Sequence, residues 1–169
     1  MLYRTNAQSR NFEDAFSRND IPYRVLGGLR YYDRKEIKDM MAYMRLVHNS
    51  ADDLSLVRII NEPKRGIGDK TVEKLRALAD VRGQSMFDAL GDEDVLYALP
   101  AKAITSVAEM LRAIKECAEE KQNLRVSDIY DALLVRTGYL KALEDQNTVE
   151  ADGRIENLLE FKSVIFEYE

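Results

Sequence analysis

Residues 59–75 constrain the fold more than any other stretch, because a proline and two closely spaced glycines lie between two apolar helical patterns. Pro63 should end the first helix, since a residue before proline is pushed out of the α region. Gly66 and Gly68 permit positive φ and close approach by another backbone. Asp69 can cap the following helix by accepting its first N–H groups. The stretch therefore predicts a helix, a glycine turn and a second helix.

The outer surface of this turn is expected to suit a phosphate group. Ile67 can plug the turn into the core, while backbone N–H groups and the side chains of Lys64, Arg65 and Lys70 face outward. The pattern resembles a helix-hairpin-helix, a module that grips nucleic-acid backbone. The run Gly-Asp-Lys-Thr is not a P-loop, because Asp69 separates the glycine from the lysine. The alternative is a plain helix–helix turn with two structural glycines.

Composition limits the class of protein. The chain of 169 residues allows one domain or two small ones, and its hydrophobic content of 46% supports a core. No apolar run approaches the ~18 residues that a membrane helix needs. Cys117 and His48 are the only residues of their types, so the sequence predicts no disulfide, metal site or histidine triad within the chain. A reducing, cytoplasmic location is expected.

Charge is unevenly distributed along the chain. The net charge is −5, which argues against a strongly basic nucleic-acid binder. Residues 58–76, however, contain six basic and three acidic side chains. The sequence therefore predicts a local basic patch around the glycine turn.

The N-terminal residues carry the only strand signals. Residues 1–4 are a short apolar piece, residues 7–18 predict a helix with Phe12, Ala15 and Phe16 inward, and residues 21–26 alternate as a strand. Two parallel strands are expected, and two strands alone are not a stable sheet. We therefore expect partner strands outside this chain, and a non-native dimer through the exposed strand at 21–26.

The rest of the chain predicts helices, so the fold class is mainly α with a small β component. Helices are expected over residues 34–48, 54–61, 69–82, 100–122, from 127 and over 154–169, with a polar segment at 146–152. The helix from 34 should show an outer mixed-charge face of Arg34, Glu36, Lys38 and Asp39. Thr137 and Gly138 begin a second, degenerate hairpin turn.

Several motifs together resemble the UvrD/PcrA/Rep family of superfamily 1 DNA helicases. Residues 2–10 (LYRTNAQSR) are similar to the family's motif IV, and further matches follow at the family's spacing. They are residues 21–23 (IPY), 27–39 (GGLRYYDRKEIKD), 52–54 (DDL), 58–61 (RIIN), 63–68 (PKRGIG), 137–139 (TGY) and 154–158 (RIENL). The resemblance covers essentially the whole chain.

The resemblance implies roles for individual residues. Arg4 would reach the γ-phosphate of ATP, and Tyr3 would lie against the adenine. Residues 1–93 would form the first part of motor domain 2A, and 94–169 the first part of the inserted helical domain 2B. The residues expected at the DNA backbone are Lys64, Arg65, Gly66, Ile67, Gly68, Lys70 and Thr71 in the first turn, with Thr137 and Gly138 in the second.

The resemblance also implies the function of a parent protein. We expect an internal piece of an ATP-dependent helicase that moves 3′ to 5′ on single-stranded DNA, in repair or replication. Its partners would be ATP, Mg²⁺, single-stranded DNA with single/double-strand junctions, and the remaining helicase domains. The alternative is a stand-alone helix-hairpin-helix module that binds nucleic acid or serves as a scaffold.

The sequence predicts that this chain alone does not hydrolyse ATP, because it carries neither the P-loop lysine nor the acidic Mg²⁺-binding motif. The measurement is phosphate release by the purified chain with and without single-stranded DNA. DNA-stimulated hydrolysis would contradict the expectation.

Overall fold

The computed structural model describes residues 9–24 and 30–169. Ten α-helices form in these two stretches, with one 3-10 turn at Tyr31–Asp33. In chain order they are α1 Ser9–Arg18, α2 Lys35–His48, α3 Asp53–Ile59, α4 Asp69–Arg82, α5 Met86–Ala89, α6 Glu93–Leu96, α7 Ala101–Glu120, α8 Val126–Arg136, α9 Tyr139–Glu144 and α10 Val149–Glu167.

A mainly helical chain is confirmed, but the small β component is absent from the described residues. Residues 21–24 form no strand. Asp20 adopts a φ of 52°, and the N–H of Ile21 donates to the carbonyl of Phe16 at 2.8 Å, which closes the end of α1. The ring of Tyr23 then packs against Phe16, with centroids 5.7 Å apart.

The predicted strand at 21–26 is therefore wrong for its first four residues, because its backbone turns back onto α1 in place of extending. They offer no strand edge for the predicted dimer. Residues 1–4 and 25–26 lie outside the described residues, so the other half of the predicted strand pair remains a prediction.

Contacts divide the described chain into two units. The first comprises the described residues up to Lys38 together with 143–169, and the second comprises residues 39–142. The unit boundaries fall inside α2 and α9.

A buried arginine organises the first unit. Helix α1 buries Ser9, Arg10 and Glu13, whereas Phe12 and Phe16 are half-buried and Ala15 is exposed, so the predicted apolar inner face is wrong. Burial alone would lower the pKa of Arg10, but three carboxylates raise it above its ordinary value. They belong to Asp14, Glu160 and Glu167, at 3.1, 2.8 and 2.9 Å from the guanidinium. Because each nitrogen of the guanidinium has an acidic partner, this helix can turn a charged face inward.

A second buried polar cluster in this unit centres on Asn157 of α10. Its Nδ2 donates to Glu36 Oε1 at 2.6 Å, and its Oδ1 accepts from Arg34 Nη1 at 3.1 Å. Its backbone carbonyl accepts from the Tyr31 hydroxyl at 2.8 Å. Arg34 and Glu36 are both buried, so the prediction that they lie on an outer face is wrong. The amide of Asn157 makes their burial tolerable because it offers a donor to the acid and an acceptor to the base.

The second unit has an apolar core whose helices follow the sequence pattern closely. Helix α7 covers nearly all of the predicted span 100–122 and packs against α8. Its buried stripe consists of Ala103, Val107, Met110, Leu111, Ala113, Ile114 and Cys117. Burial raises the pKa of the Cys117 thiol, which lies in this stripe as a small core residue.

Local capping contacts set the helix ends in the second unit. Asp52 caps α3, accepting the N–H of Ser55 at 3.1 Å, and hydrogen bonds from Ser55 lower the pKa of Asp52. Gly83 ends α4 with a φ of 62°, and Ser85 caps α5. In the first unit, by contrast, α10 begins at Val149 inside the predicted polar segment, because Thr148 accepts the N–H of Ala151 at 3.1 Å.

Replacing Asn157 by alanine should lower the free energy of unfolding by about 3 kcal/mol, because buried Arg34 and Glu36 would each lose a charge-assisted hydrogen bond. The measurement is urea denaturation. Glu156→Ala, at the exposed neighbouring position, is the control and should stay within about 0.5 kcal/mol of the original chain. Equal stability of the two variants would contradict a buried polar core.

Candidate nucleic-acid interface

The chain between α3 and α4 forms the predicted glycine turn. Ile67 is 3% exposed and fills the core beneath the turn, as expected. Gly66 has a φ of 77°, which favours glycine. Asn61 Oδ1 accepts the backbone N–H groups of Arg65 at 2.8 Å and Ile67 at 3.2 Å. Sequence reasoning missed this role of Asn61, although an asparagine shortly before a glycine turn is a usual signal for such bonds.

The start of α4 leaves backbone donors exposed. Gly68 is the N-cap residue, and its carbonyl accepts the N–H groups of Thr71 and Val72 at 2.9 and 3.1 Å. Asp69 is the first helical residue and makes no capping bond, so its predicted capping role is wrong. Within residues 9–24 and 30–169, no acceptor faces the N–H groups of Gly68, Asp69 and Lys70. A helix start in this state attracts an anion.

The two glycines of the turn differ in what the chain requires of them. Gly66 needs its positive φ, whereas Gly68 has φ −105° and ψ 172°, which any residue can adopt. A Cβ placed on Gly68 would meet no heavy atom within 4 Å. Neither backbone strain nor crowding within the described chain therefore explains a glycine at position 68. Its missing side chain leaves the helix start open to another molecule.

The basic patch is smaller than the sequence suggests. Arg65 is only 6% exposed and so does not reach the surface, and Arg58, whose side chain is 37% exposed, has its charge paired with buried Asp39 at 2.9 Å. Among residues 58–76, four exposed cations make no ion pair with the described part of the chain, namely Lys64, Lys70, Lys74 and Arg76. Asp69 and Glu73 share this surface, so the excess of positive charge is modest. Thr71 is half-buried beside it.

Arg65 lies inside the unit, and its predicted outward position is wrong. Its Nη1 donates to the carbonyls of Ile59, Ile60 and Pro63 at 3.1, 3.4 and 3.2 Å. Its Nη2 donates to the Tyr43 hydroxyl at 3.0 Å. These carbonyls lie at or just beyond the end of α3, where regular helical hydrogen bonds stop, and a guanidinium fork can bind several of them at once.

The second predicted turn lies against the first. Gly138 has a φ of 72° between α8 and α9, and the carbonyl of Thr137 accepts from Arg65 Nη2 at 3.1 Å. The Thr137 hydroxyl is buried and donates to the carbonyl of Leu133 at 2.6 Å. Beside it, the Tyr139 hydroxyl donates to Asp39 at 2.8 Å. The structure thus brings the two predicted DNA-binding turns together through one buried arginine.

Comparison with known proteins assigns the family. The family model described as "UvrD-like helicase C-terminal domain" matches residues 1–169. ATP-dependent DNA helicase PcrA of Staphylococcus aureus is 45% identical over 169 residues, which is 100% of this chain and 23% of that protein. PcrA of Staphylococcus epidermidis gives the same identity and coverage. The chain belongs to the UvrD-like helicase family.

Membership of the UvrD-like helicase family does not place every predicted residue. Tyr3 and Arg4, predicted at ATP, lie outside the described residues. Among those described, no group of three histidine, cysteine, aspartate or glutamate side chains could hold a metal ion. Nor is any helix of the described chain long and apolar enough to cross a membrane. The chain spans about a quarter of the length of the PcrA proteins, 23%.

The two glycines should respond differently to alanine. Gly66→Ala should lower the free energy of unfolding by about 1–2 kcal/mol, because a Cβ is strained at positive φ. Gly68→Ala should change it by less than about 0.5 kcal/mol, since a small N-cap loss offsets a gain from the stiffer unfolded chain. Urea denaturation of both variants checks this, and equal losses would show that position 68 also has a structural need for glycine.

Proposed function

We propose that this chain is part of an ATP-dependent DNA helicase that moves 3′ to 5′ along single-stranded DNA. The proposal is supported by 45% identity to PcrA along the whole chain. The protein would act in the cytoplasm, in DNA repair or replication. Motion along DNA would require the remaining helicase domains.

The contribution of this chain would be a grip on DNA backbone by the first glycine turn. The observation that carries this proposal is the open start of α4, where Gly68 lacks a side chain that the fold would readily accept. A phosphate there would receive N–H bonds from Gly68, Asp69 and Lys70 and lie within the field of the helix. Lys64 and Lys70 would add charge, while Ile67 and Thr71 would support the turn from behind.

Such a grip suits a translocating protein. Backbone contacts do not depend on base sequence, so a motor can pass along DNA of any sequence. Because few exposed cations surround the turn and the net charge is −5, the affinity contributed by this chain should be low and salt-sensitive. Single-stranded DNA and its junctions with duplex are the proposed ligands.

The second turn would serve a separate part of the DNA. We assign residues 1–93 to domain 2A and 94–169 to domain 2B, so Gly66–Gly68 and Thr137–Gly138 would come from different helicase domains. This assignment divides the chain by helicase domain at residue 93. The two units described above are defined by contacts and have other boundaries. Because the Thr137 hydroxyl and carbonyl are bonded internally, DNA would meet this turn at half-buried Gly138.

ATP would be contacted by residues at the start of the chain. Arg4 would place positive charge at the γ-phosphate and Tyr3 would lie against adenine, as in related motors. No carboxylate cluster among the described residues fits Mg²⁺, so the ion would be held by the remaining helicase domains. Catalysis of ATP hydrolysis would then depend on the remaining helicase domains.

A stand-alone nucleic-acid-binding or scaffold module is the second candidate. The glycine turn favours this candidate because α3, α4 and the bonds that support the turn all lie within one unit, residues 39–142. The two candidates predict different DNA affinity and ATPase activity for the full-length protein compared with this chain. Equal DNA affinity of this chain and the full-length protein, without ATPase activity in either, would favour the module.

Gly68→Asp in the full-length protein should weaken DNA binding by about tenfold, because a carboxylate would take the helix N–H groups and repel phosphate. The measurement is fluorescence anisotropy with a labelled duplex carrying a 3′ single-stranded tail, at fixed salt. Fold stability should not fall, since aspartate is a favoured N-cap residue.

Gly68→Asn is the matched control, because it caps equally well without the charge. Its DNA affinity should fall by about threefold, through lost access to the helix N–H groups. ATP affinity should be unchanged in both variants. Unchanged DNA affinity in both would refute phosphate binding at this turn, and parallel loss of ATP affinity would indicate a folding defect.

A further inference from the structure

Arg65 connects three separate parts of the second unit. Nη1 holds the carbonyls of the α3 end, at Ile59, Ile60 and Pro63. Nη2 reaches Tyr43 on α2 and the carbonyl of Thr137 after α8. The two terminal nitrogens therefore make five hydrogen bonds of 3.0–3.4 Å, inside a side chain that is 6% exposed.

We propose that Arg65 is a positioning residue that fixes the Gly66–Lys70 segment against the Thr137–Gly138 turn and does not itself touch DNA. The inference rests on the proposed DNA contact of the first turn. It assigns the positive charge in the Pro-Lys-Arg-Gly-Ile-Gly run to two tasks. Lys64 and Lys70 face the ligand, and Arg65 holds the backbone between them.

Three features of the geometry support a positioning role. Arg65 directly precedes Gly66, so any movement of its backbone is transmitted to the open start of α4. Asn61 holds the same segment from the other side, through the N–H groups of Arg65 and Ile67. Tyr43 ties the cluster to α2, since its hydroxyl donates to the carbonyl of Glu62 at 2.6 Å and accepts from Arg65.

The chemistry of the site requires arginine in particular. The planar guanidinium of Arg65 is surrounded by four carbonyls and one hydroxyl. Lysine, with a single ammonium group, cannot bind all of them. Burial raises the pKa of the Tyr43 hydroxyl, with Arg65 opposing part of the rise, so Tyr43 stays a neutral donor and acceptor. Lysine at position 65 would keep the charge but release some of these acceptors.

Arg65→Lys in the full-length protein separates positioning from direct contact. A direct phosphate contact would largely survive, because the charge remains. A positioning role instead predicts a loss of about tenfold in affinity for the tailed duplex, because lysine would no longer hold the Gly66–Lys70 segment in place. Arg82→Lys is the matched control, because Arg82 pairs with Asp92 and Asp94 on the surface of the same unit. Its affinity should not change.

A double-mutant cycle tests the mechanism. Lys70→Ala should cost about fivefold in affinity alone, but less than about twofold in the Arg65→Lys background, because a displaced segment no longer presents position 70 to DNA. Arg112→Ala, at an exposed position of α7, should be additive with Arg65→Lys. General destabilisation would not produce coupling restricted to Lys70.

Tyr43→Phe covers the case in which Arg65→Lys lowers folding stability. It removes one acceptor of Nη2, and it should weaken DNA binding by about threefold with the same coupling to Lys70. If neither variant loses affinity, or if both are additive with Lys70→Ala, the positioning role is overturned. If Lys70→Ala and Gly68→Asp also leave affinity unchanged, the proposed DNA contact itself fails.

Discussion

Two buried arginines constrain how this chain can fold. A guanidinium taken out of water must find acceptors for its donors, or the cost of desolvation is not recovered. Arg10 finds three carboxylates in the first unit, and Arg65 finds four carbonyls and a hydroxyl in the second. The apolar helices provide most of the burial, but these two side chains fix which helix ends and turns must meet.

The buried donors of the two arginines are satisfied by different kinds of acceptor. Carboxylates around Arg10 neutralise its charge, so that cluster contributes no positive field at the surface. Backbone carbonyls around Arg65 satisfy its donors without cancelling its charge. A buried cation of this kind also adds to the positive potential at the neighbouring turn, where the exposed lysines lie. Arg65 can therefore support anion binding electrostatically while remaining out of reach of the anion.

Local features of the fold could be read from the sequence, and distant polar pairings could not. Asp52, Gly83 and Ser85 cap or end helices through backbone groups only a few residues away, and a local sequence pattern can indicate such contacts. Glu36 was predicted to be exposed and is buried. A local pattern could not show its partner, Asn157, which is 121 residues distant in sequence. Charged side chains are usually exposed, so without knowledge of the partner the expectation for Arg34, Glu36 and Arg65 was solvent.

The candidate site divides in the same way. The order helix, glycine turn, helix and the buried Ile67 followed from spacing alone. The cap at Gly68 in place of Asp69, and the inward side chain of Arg65, depend on where the turn meets Tyr43 and Thr137. Residues 59–75 therefore predict the kind of site but not which of its cations reach the surface.

The contrast between Gly66 and Gly68 bears on why the turn has the composition it does. A turn that served only to join two helices would need one glycine, at the position of positive φ, and could take a better N-cap than glycine at the other. An aspartate or serine at 68 would satisfy the helix start and strengthen the fold. Glycine at position 68 leaves the first N–H groups of α4 unsatisfied within the described chain, as the proposed phosphate contact requires.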